Sequence, residues 1–244
     1  MFAQFPKSRR PLPEEYRRIL QSHYLENREG RGFSSLVHAM ESWLHRAVAR
    51  PQGEPDFSGP VLEIGAGTLN HLEYEKDLSR GYDVVEPENY LLNHVPGRRD
   101  RVRSVFQDIR EVPLQARYSR IVSIATLEHL TDLPVVVARC GQILDREGLF
   151  QAAIPSEGSV LWKIGYTLTN GIAFRLRYGL DYEVIMRHEH VNFADEIEHV
   201  LRYFFDRVSC EFFGPHKSFS FYRAYQCRGP KTAVCADFLK HRGA

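Results

Sequence analysis

The chain has 244 residues, enough for one sizeable α/β domain and too few for two ordinary domains with independent cores. Lys and Arg number 32 against 31 Asp and Glu, a net charge of +1, so the charge balance does not point to a nucleic-acid partner. No apolar stretch approaches the ~18 residues that span a bilayer, the start lacks the apolar core of a secretion signal, and four dispersed cysteines without a C-x-x-C pair suit free thiols in a reducing, cytoplasmic setting.

Residues 1–11 are polar and proline-bearing and read as a loose arm. Phe33, Leu36, Val37, Met40, Leu44, Ala47 and Val48 then recur at three- and four-residue spacing, the mark of a helix with one apolar face. Pro51 stops it, and the breaker-rich "PQGEPDFSGP" leads to the first strand. Residues 1–57 are therefore expected to form a helical cover ahead of a single domain over 58–244.

Strands and helices then alternate. "VLEI" (61–64), "YDVVEP" (82–87), "RVRSVFQDI" (101–109), "SRIVSIA" (119–125) and "LFQAAIP" (149–155) read as strands. "LNHLEYEKDLSR" (69–80) and "LPVVVARCGQILDREG" (133–148) read as helices, the second stopped by Gly148, and the basic run "GRRDRVR" as a solvated loop. Such alternation implies right-handed crossovers and a parallel sheet with helices on both faces. The end differs. Asn192 followed by Asp195 resembles a capped helix start, with Ile197, Val200, Leu201, Phe204 and Phe205 as its buried stripe, and "RVSCEFF", "GPHKS" and "FSFYRAYQC" read as a hairpin.

The segment "VLEIGAGTLN" decides the ligand class. In an open parallel sheet the ligand lies beyond the strand ends, beside the first strand–helix turn, where glycine lets the backbone come close. A dinucleotide fingerprint wants a third glycine at position 70, and Asn70 stands there. Glu63, two residues before the first glycine, would repel a pyrophosphate but attract a sulfonium or ammonium. Glu86 ends the second strand about twenty residues on, where a carboxylate accepts from both ribose hydroxyls. Asp108, ending the third, could accept from the exocyclic amine of adenine. The reading is a ligand with a ribose, positive charge and no diphosphate.

On these residues the stretch 58–155 resembles the core of the class I S-adenosylmethionine-dependent methyltransferases, in the small-molecule group of type 11 or type 12 methyltransferase domains. "LEIGAGTLNHL", "YDVVEP" and "FQDI" are similar to the first three motifs, and "YSRIVSIATLEHLTD" to the fourth-strand segment, with Ser119 replacing the usual Asp. The resemblance implies a Rossmann-like three-layer α/β sandwich. Its seven-stranded, mostly parallel sheet would run in the order 3-2-1-4-5-7-6, with an antiparallel last strand. It implies an enzyme using S-adenosyl-L-methionine and releasing S-adenosyl-L-homocysteine. Glu63, Gly65, Ala66 and Gly67 would hold the methionine part, Glu86 the ribose, and Asp108 with the backbone of Ile109 the adenine. Ala125 to Leu127 would wall the cofactor near its methyl group, and the stretch around Tyr16 to Phe33 could fold over it.

The acceptor side is written less plainly. The insertion 156–191 carries Trp162, Tyr166, Phe174, Tyr178 and Tyr182 among basic residues and reads as a helical lid, with an apolar run able to touch a lipid or membrane surface. Trp162, Tyr166, Tyr182 and His188 are candidate acceptor contacts. In "RHEHVNF", His188 and His190 would point the same way if the segment were extended. His190 is the first candidate for a general base and His129 the second. No third ligand is identifiable beside these histidines, so no metal is expected. The Asn/Asp-Pro-Pro-aromatic motif of enzymes methylating adenine in DNA is replaced by "IATLEH". A sugar, lipid or secondary metabolite, methylated at oxygen, fits better. The alternatives are a non-catalytic protein of the same fold, a nicotinamide-dependent oxidoreductase, and a tRNA or protein methyltransferase.

Overall fold

The computed structural model describes residues 2–19, 35–49 and 59–243. Seven strands form one sheet: β1 Val61–Ile64, β2 Tyr82–Val85, β3 Ser104–Phe106, β4 Tyr118–Ile124, β5 Leu144–Pro155, β6 Phe205–Phe213 and β7 Tyr222–Pro230. Their spatial order is β3-β2-β1-β4-β5-β7-β6. β1 to β5 pair in parallel, and β7 runs antiparallel between β5 and β6. This is the architecture the resemblance implies. The strand order reverses where β1 lies beside β4, so their carboxyl ends open a crevice at the switch point.

β1, β2 and β4 are buried along their whole length, as strands covered on both faces must be. The longer helices among the described residues are α1 Ser35–Ala49, α2 Leu133–Ile143, α3 Val160–Tyr166, α4 Ile172–Tyr178, α5 Tyr182–Glu189, α6 Ala194–Phe204 and α7 Thr232–Arg242. On one face Leu44 and Val48 of α1 join Val61, Tyr82, Val84 and Val122 in a buried cluster. On the other, α2, α6 and α7 bring Val137, Cys140, Ile197, Val200, Leu201, Phe204 and Leu239 into a second. The stripe read for the sixth helix is buried as expected, though its last member, Phe205, already opens β6.

Several readings are corrected. The helix expected over 69–80 is a single 3-10 turn, Asn70–Glu73. His71 and Glu75 of that segment turn inward, where Glu75 meets Arg120 at 2.7 Å, and α1 covers the sheet instead. The helix over 133–148 stops at Ile143; Leu144 opposite Tyr118 already belongs to β5, and residues 145–148 bulge out before pairing resumes at Leu149. Asn192 does not cap α6, whose preceding residue is Phe193; its amide donates to the carbonyls of Leu127 and Leu130. The basic run is mostly exposed, as read, but two of its arginines brace the loops: Arg103 pairs with buried Asp83, and Arg98 reaches Asn70.

The loose arm is a strap. Phe2 and Phe5 are buried, and Phe2 packs edge-on against Tyr203 and Phe238. Arg242 donates to the Phe2 and Phe5 carbonyls, and Lys7 donates to Val191 O. The remaining cover at 20–34 and the linker at 51–58 lie outside the described residues.

Candidate active site

β1 delivers the chain to Gly65 in the left-handed region, φ 74°. A Cβ at this position would come within 2.3 Å of Thr126, so glycine is required by both the backbone and its neighbour. Gly67 follows with φ 52°, and its N–H donates to Glu86 Oε2 at 2.6 Å. Glu88 N–H donates to the other oxygen at 2.9 Å. One carboxylate thus ties the first strand–loop junction to the second. Two backbone bonds fix its orientation, and each oxygen retains acceptor capacity toward the crevice. Asn70, standing where a dinucleotide site would have glycine, accepts from Arg98 at 2.6 Å and braces the loop from below. Two non-glycine residues, Leu69 and Ala125, hold positive φ at its borders, a strain that clusters at functional sites.

A cavity of about 510 Å³ opens above this loop, within the usual range of ligand sites. Of the expected cofactor residues, Gly65, Glu86, Asp108, Ile109 and Ala125 line it, and His129 does too. Glu63, Ala66, Gly67 and Leu127 stand behind the wall. The tight 3-10 turn Leu127–His129 rotates Leu127 into the core, and Thr126 takes its place. Glu63 is buried and accepts the Tyr82 hydroxyl at 2.9 Å. Burial pushes its carboxyl up to about 8 against the lowering effect of that bond, with Glu75 and Glu86 adding to the rise. Glu63 thus faces Tyr82 in the interior, and the acids lining the cavity are Glu86, Glu88, Asp108 and Glu189. Asp108 is half exposed and held by Arg110, whose N–H it accepts at 2.7 Å.

Sequence reasoning missed Arg9, Tyr90 and Glu189, which also line the cavity. Arg9 of the strap and Glu189 of α5 stand 3.6 Å apart. Their distance in the chain leaves no local signal for that meeting.

A second cavity, about 780 Å³, lies under the insertion, between α3, α5 and the strap. Trp162, Tyr166 and His190 line it, with Glu157 and Lys7. Tyr182 sits behind Tyr166, ring centroids 6.4 Å apart. His188 does not reach either cavity: helix α5 runs through Glu189, so His188 and His190 diverge, and His188 Nδ1 donates to Arg10 O at 2.5 Å. His190 Nδ1 donates to Glu157 Oε2 at 2.9 Å, and Trp162 stacks near its ring at 13°.

Each cavity contributes one imidazole to a ring contact. His129 lines the first, His190 the second, and their rings pack edge to face with centroids 4.9 Å apart. His129 Nδ1 donates to Glu189 O at 2.9 Å. In both rings the Nδ1 proton is committed to an oxygen, which leaves Nε2 as the acceptor. Beneath them Glu128 is buried, its carboxyl pushed up to about 7 by burial and one oxygen without a hydrogen-bond partner. Glu128, His129 and His190 offer three ligand atoms within 4.8 Å of one another, the trio through which this site could hold a cation.

No sequence family model matches the chain, and no curated protein matches it. Solved structures do. A possible histamine N-methyltransferase from Thermotoga maritima superposes with a TM-score of 0.59 at 14% identity, covering 88% of this chain and 98% of that one. The fold is that of the S-adenosylmethionine-dependent methyltransferases. The plantazolicin methyltransferase BpumL, in complex with S-adenosylhomocysteine and a pentazolic substrate analogue, gives 0.59 at 15% identity over 88% and 92% of the two chains. The N-methyltransferase NodS from Bradyrhizobium japonicum, also in complex with S-adenosylhomocysteine, gives 0.55 at 14% over 82% and 90%. The crevice beside Glu86 and the glycine loop lies at the switch point of the chain's own sheet, where β1 meets β4.

Proposed function

We propose that the chain transfers a methyl group from S-adenosyl-L-methionine to an oxygen of a small-molecule acceptor, such as a sugar, a lipid or a secondary metabolite. The observation that carries this reading is a pair of neighbouring cavities, one lined by His129 and the other by His190, whose rings pack edge to face. One is lined by the glycine loop and Glu86; the other is aromatic and lies under the insertion.

Donor and acceptor each have a chamber, with the transfer point between them. Glu86 would accept from the ribose hydroxyls, while Asp108 and the Ile109 backbone would meet the adenine. Trp162 and Tyr166 would hold the acceptor. S-adenosylmethionine supplies an activated methyl group, so the protein mainly aligns the two reactants, a contribution worth about 7–11 kcal/mol in well-oriented reactions. An acceptor hydroxyl must also lose its proton. His190 Nε2, at the wall of the second cavity, would take it. Glu157 then faces an imidazolium.

Equilibrium binding and a transfer assay test the reading. Binding of S-adenosylhomocysteine without binding of NAD, and methylation within a panel of hydroxylated acceptors, are the expected results. NAD binding would favour an oxidoreductase. Cofactor binding without transfer to any acceptor class would leave a non-catalytic member of the fold.

A further inference from the structure

The insertion builds one continuous helix. α3 runs through a π-turn at Thr167–Gly171 directly into α4, capped at the start by Ser159, whose Oγ accepts Trp162 N–H, and ended by Gly179 at φ 70°. Its inner side is anchored: Phe174 is buried against Tyr16, Leu12 and Ile185. Its outer side is apolar and, among the described residues, uncovered. Val160, Ile164, Leu168, Ile172 and Leu176 recur every fourth residue and are 46% to 84% exposed.

Such spacing does not hold one face in an ordinary helix. Residues four apart advance by about 40°, so five of them would spiral through roughly 160°. The π-turn, with its wider i→i+5 loop, unwinds the spiral midway and brings Ile172 and Leu176 back toward the line of Val160 and Ile164. A π-turn is rare and concentrates at functional sites; here it aligns an exposed stripe. Contiguous exposed apolar surface of this kind marks an interaction site.

Charge names the occupant. From Gly158 to Leu180 there is no acidic residue, while Arg175 and Arg177 are exposed on the same helix and Lys163, also exposed, lies 3.9 Å from Glu183. A second copy meeting this face would bring like charges together. An anionic lipid surface takes both the apolar stripe and the cations that flank it. No helix among the described residues is long and apolar enough to cross a membrane, so the helix would lie on the surface. Val160 opens the stripe and also lines the second cavity, which puts the cavity rim at the docking face.

We propose that the helix 160–178 docks the protein on an anionic bilayer, and that the second cavity draws its acceptor from that surface. The second clause rests on the methyltransferase reading; the first does not. The test is co-sedimentation of the full chain with phosphatidylcholine vesicles, with and without phosphatidylglycerol. Binding is expected to need phosphatidylglycerol and to weaken as salt rises. L168E/L176E, with Tm unchanged because both side chains are exposed, is expected to bind at least about tenfold more weakly. No binding at low salt, or equal binding by this variant, overturns docking. So does self-association of the wild type that the variant abolishes, which would assign the stripe to a second copy. S-adenosylhomocysteine titration in the same samples separates the readings: vesicle binding without cofactor binding sinks the methyltransferase and leaves docking standing.

Discussion

His190 donates from Nδ1 to Glu157 Oε2 at 2.9 Å, and that oxygen also accepts the Trp162 indole N–H at 2.7 Å. The pairing fixes the ring's tautomer and turns its basic nitrogen away from the carboxylate, the arrangement a proton acceptor needs. H190A is expected to slow turnover by about 10²-fold or more with S-adenosylhomocysteine affinity unchanged. E157Q tests the positioning role: without the carboxylate that orients the ring, kcat should fall while S-adenosylhomocysteine affinity stays unchanged. A kcat that does not fall makes Glu157 a packing residue. Turnover is expected to survive a chelator. Loss in chelator, restored by a divalent ion, would instead make His190 a metal ligand with Glu128 and His129.

Glu86 lines the first cavity from a fixed position. It is buried, and its two oxygens are each met by a backbone N–H at the floor of the first cavity. E86A removes charge-assisted acceptors from a ribose, which should weaken S-adenosylhomocysteine binding by about 1–3 kcal/mol. Isothermal titration reads this directly, and unchanged affinity would remove Glu86 from the site.

Gly65 is held by geometry on two counts. Alanine at φ 74° carries a left-handed cost of about 1–3 kcal/mol, and its Cβ would also overlap Thr126. G65A is expected to lower Tm and weaken cofactor binding together. A substitution that left both untouched would mean the β4 end can retreat, and the close approach of loop and Thr126 would lose its significance.

What the sequence revealed and what it hid have a common physical origin. The strands were legible because β1, β2 and β4 are short apolar runs bounded by breakers, and the terminal hairpin because its turn residues are clear. Glu86 was legible because strand end and glycine turn fix its place relative to each other. The missing helix after the glycine loop was not legible: "LNHLEYEKDLSR" has helical spacing, but His71 and Glu75 are consumed by a buried network with Arg120 and His45. Leu127 and Thr126 differ only in which way a 3-10 turn rotates them. Glu128 and His129 were visible as a motif, and His190 as a histidine near the sixth helix. Their meeting depends on α5 ending at Glu189, a boundary that periodicity does not set to one residue.

Glu63 makes a prediction about stability, because its acid is raised rather than lowered. Its folded value of about 8 lies above the ordinary 4.5. The folded state therefore keeps a proton that the unfolded chain releases as pH climbs. The stability this contributes is fully present below about pH 4.5 and is lost as pH rises through about 8. E63Q keeps the carbonyl that accepts from Tyr82 and has nothing to titrate. Its Tm should fall less steeply than that of the wild type between these limits, and the variant should be the more stable protein above the upper one. Thermal unfolding across the range decides it. Parallel curves would mean that Glu63 titrates as an ordinary carboxylate, and the electrostatic attraction first assigned to it would be restored, a buried negative charge behind the glycine loop.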